Sequence, residues 1–260
     1  MAQLHINFHS KSLMRQVAIT AIIPVDKSEI IVKKPFKTLY LLHGIFGNCT
    51  DWMNYTRIQE LATKRNLAVI MPSGDNSFYV DNPTRGDFYG EFIGRELVEF
   101  TRDLLPLSTK REDTCIAGLS MGGFGAVRNG LKYQETFGYI AGLSSAFILE
   151  KAMTSTNDEP HFIWKRSFYE SLFGDLDKIL DSDVNPKKII EDLINNNATF
   201  PELYICCGTE DFLLEANREF HTFLTEKKVT HTYIEGPGDH NWDYWGEYIV
   251  KVMDWLLSDE

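Results

Sequence analysis

"DTCIAGLSMGGFGAVRNG", Asp113 to Gly130, runs from a short apolar segment through a glycine-rich bend into a helical pattern, with Ser120 at the bend. Gly118, Leu119, Ser120, Met121 and Gly122 match G-x-S-x-G in a strand-to-helix setting, where that pattern has mechanical meaning. A tight turn of this kind needs small flanking residues, because larger side chains would clash, and it lifts the serine hydroxyl clear of the sheet. It also places Ser120 at a helix N-terminus, where unpaired N–H groups and the helix dipole favour developing negative charge.

Outward from this bend the same rhythm repeats. Short, almost continuous apolar runs occur at "TLYLLHG", "LAVIMPSG", "GYIAGLS", "LYICCGTED" and "HTYIEGPGDH". Helical patterns separate most of them, among them "DWMNYTRIQELATKRN", "GEFIGRELVEFTRDLL" and "LLEANREFHTFLTEKK". Buried strands alternating with helices predict an α/β fold with a mainly parallel central sheet covered on both faces. "LHINFHS" and "RQVAITAIIPV" alternate polar and apolar residues and predict an antiparallel lead-in. Residues 147–200 contain no convincing strand, yet they carry Phe162, Trp164, Phe168, Tyr169 and Phe173. A polar linker would lack such aromatics, so this segment is expected to pack over the sheet as a small helical cap or pocket wall within one domain, 1–260.

An aliphatic hydroxyl is a poor nucleophile at neutral pH and needs a base, which in turn needs an orienting acceptor. Of the seven histidines, His5 and His9 fall in the lead-in, His161 in the excursion, His221 inside a helix and His231 at a strand start. His240 alone lies in a loop after the last apolar run, and loops that follow parallel strands share one edge of the sheet. His240 is therefore the candidate base. The chain order serine, acid, histidine restricts the acid to residues between Ser120 and His240. Asp211, ending "CCGTED" just before a helix, is preferred, with Glu210 as the fallback; a helix N-cap is the structural alternative for such an aspartate. Asp239 is expected to shape the histidine turn. An oxyanion hole needs two N–H donors: Met121, next after the serine, and one from the loop after an earlier strand. "LLHGIFGN" supplies that loop, with Ile45 as first candidate, Phe46 next, and His43 bracing it.

Composition narrows the partners. The formal net charge of -11 repels phosphate backbones and anionic lipid heads, so neither nucleic acid nor membrane is an expected partner. "MAQLHINFHSKSLMRQ" lacks the apolar core of a secretory signal, no later run approaches a spanning length, and the chain reads as cytoplasmic. The four cysteines, Cys49, Cys115, Cys206 and Cys207, have neither zinc-type nor CxxC spacing and are expected to be buried free thiols. No HExxH motif or clustered His/Asp spacing points to a metal, and the serine chemistry requires no cofactor.

Taken in order, "LLHGIFGN", "AGLSMGGFGA", "CGTEDFLLE" and "GDHNW" resemble the tributyrin esterase family of α/β-hydrolases, relatives of S-formylglutathione hydrolases, esterase D-like enzymes, feruloyl esterases and mycobacterial mycolyltransferases. The resemblance extends over nearly the full length, and "SLFGDLDKILDSDVNP" is similar to the corresponding segment of that family. It implies a serine carboxylesterase for short-chain acyl esters, acetyl or aryl esters included, with Ser120, Asp211 and His240 as triad and the N–H groups of Ile45 and Met121 as oxyanion hole. Members often assemble as homo-oligomers. S-formylglutathione hydrolase, a thioesterase with the same chemistry, is the nearest alternative; a non-catalytic binding module on the same scaffold is the alternative of another class. Phe46, Trp52, Phe78, Tyr79, Phe147, Trp164 and Trp242 are candidates to line the substrate pocket, with plain core packing as their other role.

Overall fold

Short, almost continuous apolar runs, buried on both faces, form the central strands of this chain. The computed structural model describes residues 1–25 and 32–258. In chain order the strands are β1 (Ala2–Ser10), β2 (Arg15–Ile23), β3 (Thr38–Leu42), β4 (Ala68–Pro72), β5 (Asp81–Asn82), β6 (Asp87–Phe88), β7 (Thr114–Leu119), β8 (Tyr139–Leu143), β9 (Glu202–Gly208) and β10 (Thr232–Gly236). One sheet has the order β1-β2-β4-β3-β7-β8-β9-β10, and β5 and β6 form a separate short ribbon. β1 pairs antiparallel with β2, and β2 with β4; from β4 to β10 the pairing is parallel.

The helices are α1 (Asp51–Tyr55), α2 (Ile58–Lys64), α3 (Tyr89–Glu91), α4 (Leu97–Leu104), α5 (Met121–Lys132), α6 (Leu149–Thr154), α7 (Arg166–Phe173), α8 (Pro186–Asn195), α9 (Leu214–Glu226) and α10 (Trp242–Trp255). The helical pattern over 51–66 is interrupted at Thr56. Its backbone is extended, and its hydroxyl donates to Trp52 O and accepts from Ile58 N–H, ending one helix and starting the next. Between α3 and α4 the helix widens into a π turn, Phe92–Glu96.

Alternation along β3 sends Leu39 and Leu41 to one core and Tyr40 and Leu42 to the other. The first core packs α10 and Trp52 of α1 beneath the sheet. The second packs α5, the α3–α4 helix and much of the 147–200 segment, including Tyr169, Leu172, Leu176 and Ile179. That segment contains helices and 3-10 turns but no strand among the described residues. No helix among them is long and apolar enough to cross a membrane.

Candidate active site

The sheet order reverses between β3 and β7: the chain leaves β3 for β4 on one side, whereas β7 continues to β8 on the other. In parallel sheets the crevice outside the carboxyl ends of strands at such a point is where ligands bind. Ser120 stands there, between the end of β7 and the first residue of α5, with φ 54° and ψ -119°. This is a sparsely populated conformation for a residue with a side chain, and it turns the hydroxyl out of the strand direction. Gly118 and Gly122 make the turn possible: a Cβ on Gly118 would lie 2.3 Å from Gly122 O, and one on Gly122 would lie 2.5 Å from His43 O. Ser120 N–H donates to Leu143 O at 2.9 Å, tying the bend to β8.

Three loops converge on this hydroxyl. His240 Nε2 lies 3.0 Å from Ser120 Oγ, and His240 Nδ1 lies 2.8 Å from Asp211 Oδ2. A carboxylate only accepts, so Nδ1 carries the proton and Nε2 is the acceptor for the serine hydroxyl. The Asp211 side chain is fully buried, and Asp211 Oδ1 accepts from Leu213 N–H at 2.8 Å. Burial alone would raise its pKa; hydrogen bonds from His240, Leu213 N–H and the Ser144 hydroxyl outweigh that and hold it below the usual 3.8. Glu210, the fallback acid, points elsewhere: its carboxylate accepts from Gly238 N–H at 2.6 Å and so braces the histidine loop. Asp239 Oδ1 accepts from His240 N–H at 2.7 Å, shaping the turn.

Two residues that the sequence reading did not single out complete this network. Trp245 Nε1–H donates to Ser144 Oγ at 3.1 Å, and the Ser144 hydroxyl bonds Asp211. The Trp245 ring also meets the His240 ring edge to face, with centroids 4.9 Å apart, so one indole supports both ends of the carboxylate–imidazole pair. A signal for Ser144 is present in the chain. "AGLS" occurs at 117–120 and again at 141–144, and the two copies are in register on adjacent strands.

On the opposite side of Ser120 lies the loop after β3. Phe46 N–H is committed to Asn76 Oδ1 at 2.7 Å, whereas the N–H groups of Ile45 and Met121 have no hydrogen-bond partner among the described residues. His43 holds the loop from beneath: Nδ1–H donates to Gly44 O at 2.7 Å and Nε2 accepts from Gly74 N–H at 2.8 Å. That pair of bonds requires a neutral ring, and burial pushes its pKa below the ordinary 6.5. The arrangement can move a proton from a hydroxyl to an imidazole beside two free amides.

Two cavities open onto Ser120. One, of about 140 Å3, is walled by Ile45, Phe78, Ile148, Trp164, Phe168 and Tyr169, among others, and reaches His240. The other, a cleft of about 340 Å3, includes Gly44, Asp51, Asn241, Trp242 and Trp245 beside Ile45, Ser120 and His240. Trp164 and Trp242 thus line the site, one in each cavity. Trp52 does not: it is 1% exposed, packs in the α10 core and donates its indole N–H to Leu42 O. Phe147 also falls outside, stacked on Phe220 at 4.1 Å, and only its neighbours Ala146 and Ile148 reach the cavity. Phe46 lines neither cavity and is 61% exposed, and Tyr79 is buried with its hydroxyl donating to His43 O.

The remaining candidates are accounted for by packing. All four cysteines are buried and free. His221 and His231 face each other at 2.7 Å, away from the lining of either cavity. Among the described residues no group of three or more His, Cys, Asp or Glu is placed to hold a metal ion.

Comparison with known proteins gives the same picture at the level of the whole chain. The family model described as "Putative esterase" matches residues 10–256. An acetyl esterase of Caldicellulosiruptor saccharolyticus is 42% identical over 261 residues, 98% of each chain. Among solved structures, a fluorophosphonate-binding serine hydrolase of Staphylococcus aureus superposes with a TM-score of 0.87 at 31% identity, covering 98% of both chains. An S-formylglutathione hydrolase of the same organism gives 0.85 at 32% identity, again over 98% of both. The matched span, the relatives' identity and the α/β-hydrolase architecture together place this chain in the esterase family, as a carboxylic ester hydrolase.

Proposed function

We propose that the chain hydrolyses short-chain acyl esters through an acyl-enzyme on Ser120, with His240 as general base and then acid, Asp211 orienting it, and the N–H groups of Ile45 and Met121 binding the oxyanion. Ser120 Oγ attacks the ester carbonyl as its proton passes to His240 Nε2. The carbonyl oxygen, now negative, sits between the two amides, where each hydrogen bond aimed at developing charge contributes roughly 3 to 4 kcal/mol. When the tetrahedral adduct collapses, the C–O bond to the alcohol breaks and His240 returns the proton to the departing oxygen. Water then repeats the sequence on the acyl-enzyme, releasing the acid. Ser144 and Trp245 are positioning residues: they act on Asp211 and His240 without touching the reacting atoms.

The observation that carries this reading is the continuous chain Asp211–His240–Ser120, with contacts of 2.8 and 3.0 Å, at the mouth of an apolar cavity of about 140 Å3. A cavity of that size class holds a benzene-sized guest, so acyl groups of up to about six non-hydrogen atoms fit. Acetyl and butyryl lie within the limit, and a feruloyl group exceeds it. The 147–200 segment supplies Ile148, Ile163, Trp164, Phe168 and Tyr169 to this wall, which supports reading it as a cap belonging to one hydrolase domain. The 42% identity to an acetyl esterase favours the same substrate class.

A thioester reading is favoured by the 32% identity to an S-formylglutathione hydrolase. A series of acetyl, butyryl, hexanoyl, octanoyl and feruloyl esters, with S-formylglutathione beside them, decides between the two. The expected result is kcat/KM highest at acetyl to butyryl and falling at least tenfold by octanoyl. Equal rates from acetyl to octanoyl, or S-formylglutathione preferred over every ester, would contradict it.

A further inference from the structure

The cleft beside α1 shares Ser120, Ile45 and His240 with the acyl cavity but has a different electrical character. Asp51 is its one acidic lining residue, and no lysine or arginine lines it. The carboxylate leans on the oxyanion loop: a Cβ on Gly47 would lie 2.2 Å from Asp51 Oδ2. Its field reaches the His43 ring behind that loop and acts there to raise the imidazole pKa. An aspartate in the first turn of a helix ordinarily complements the helix dipole. α1 is only five residues long, however, and that role does not call for a carboxylate on the wall of a cavity that touches the catalytic serine.

Trp242 and Trp245 line the same cleft. Trp242 is held between Tyr55, stacked at 5.0 Å, and the edge-to-face rings of Trp52 and Trp245, both at 5.3 Å. A carboxylate on the wall of a cleft with no basic residue to neutralise it attracts cations by direct Coulomb attraction, and the packed indoles give that cleft a fixed wall. The leaving oxygen of an ester has to sit where His240 can protonate it. With the acyl chain in the apolar cavity, the cleft offers a second space that touches both Ser120 and His240.

We propose that this cleft receives the alcohol half of the ester and that Asp51 makes it selective for positively charged leaving groups, esters of amino alcohols, over neutral and anionic ones. The proposal rests on the reading of Ser120 as nucleophile and of the apolar cavity as the acyl site. No bond is made or broken beyond those of ester hydrolysis; the departing alcohol oxygen takes its proton from His240, and the ammonium remains a bystander near Asp51.

The test uses three acetyl esters: acetylcholine (cationic), its neutral isostere 3,3-dimethylbutyl acetate, and the smaller anionic 3-acetoxypropanoate. kcat/KM is measured at low and high ionic strength for the wild type, Asp51→Asn and Asp51→Glu, and the readout is the ratio between esters within each protein. At low salt the wild type is expected to prefer the cationic ester over its neutral counterpart by about three- to tenfold, and to disfavour the anionic one by a similar factor. Both ratios should shrink toward one in about 0.5 M salt. Asp51→Asn should abolish the preference, and Asp51→Glu should keep part of it. Should Asp51→Asn fail to fold, Asp51→Ser takes its place in the same comparison, because a chain of net charge -11 attracts cations through its whole field as well. Equal turnover of the three esters by the wild type, or a preference untouched by salt and by Asp51→Asn, overturns the proposal while leaving Ser120 hydrolysis standing. Retained hydrolysis of the neutral ester by Ser120→Ala would instead break the reading beneath it.

Discussion

The cavity under the 147–200 segment and the cleft beside α1 meet at Ser120, Ile45 and His240, yet they are built from different material. The first is walled by aliphatic and aromatic side chains, most of them contributed by the segment between β8 and β9. The second is walled by the loop after β3, the start of α1 and the start of α10, with a carboxylate, an amide and two indoles. A dry cavity discriminates by volume, because an extra methylene either fits or does not and is worth only about 1 to 3 kcal/mol. A wet, charged cleft discriminates by sign, weakly and in a salt-dependent way. One serine can therefore sort the two halves of an ester by two kinds of physics, and substitutions that touch one sorting should leave the other in place.

The largest expected effect removes both at once. Asp211→Asn keeps the shape of the acid but not its charge, so His240 loses the acceptor that fixes its tautomer. kcat should fall by about a thousand- to ten-thousandfold for every ester, whatever its acyl length or leaving group. Steady-state kinetics over both ester series checks this, and a loss confined to one series would mean that Asp211 acts on binding and not on the base. A smaller effect separates the cavities. Trp164→Ala opens the acyl wall where Trp164 packs under Lys151, whose ammonium lies 4.2 Å from the ring. Octanoyl turnover relative to acetyl should rise by about tenfold, while the ratio of cationic to neutral acetyl esters stays as it was. Movement of both ratios together would show that the cavities are not independent.

Much of this was legible in the chain, for reasons that specific residues make clear. Ser120 directly follows the buried strand β7, Asp211 lies three residues past β9 and His240 four past the half-buried β10, and parallel strands bring such positions to one edge whatever their separation in sequence. The glycines around Ser120 mark the bend because nothing larger passes between β3 and α5. The aromatic walls were harder to read, because exposure depends on tertiary rotation and not on proximity in sequence. Trp52 is seven residues beyond Ile45, but α1 turns its ring into the core beneath the sheet. Phe147 adjoins two lining residues, yet its own ring stacks on Phe220 of α9. Ile163, which does line the cavity, comes from a three-residue 3-10 turn too short to show any periodicity, whereas Phe168 comes from α7, in the aromatic segment expected to form a pocket wall. Ser144 and Trp245 were missed because their part is played through Asp211 and His240, and only the repeated "AGLS" on adjacent strands hints at it. The break at Thr56 leaves no mark in the sequence, because a threonine that ends a helix with its own hydroxyl has the same pattern as one inside it.

The central claim is that Ser120 carries the acyl group between the two cavities, and covalent labelling tests it most directly. Wild-type protein is treated with a fluorophosphonate, its intact mass is measured, and the labelled peptide is located by digestion; the same is done with Ser120→Ala. The account predicts one adduct per chain, on Ser120, with hydrolysis lost in proportion to labelling and neither adduct nor activity in Ser120→Ala. An adduct on another residue that abolishes activity, or hydrolysis that survives complete labelling of Ser120, would contradict it.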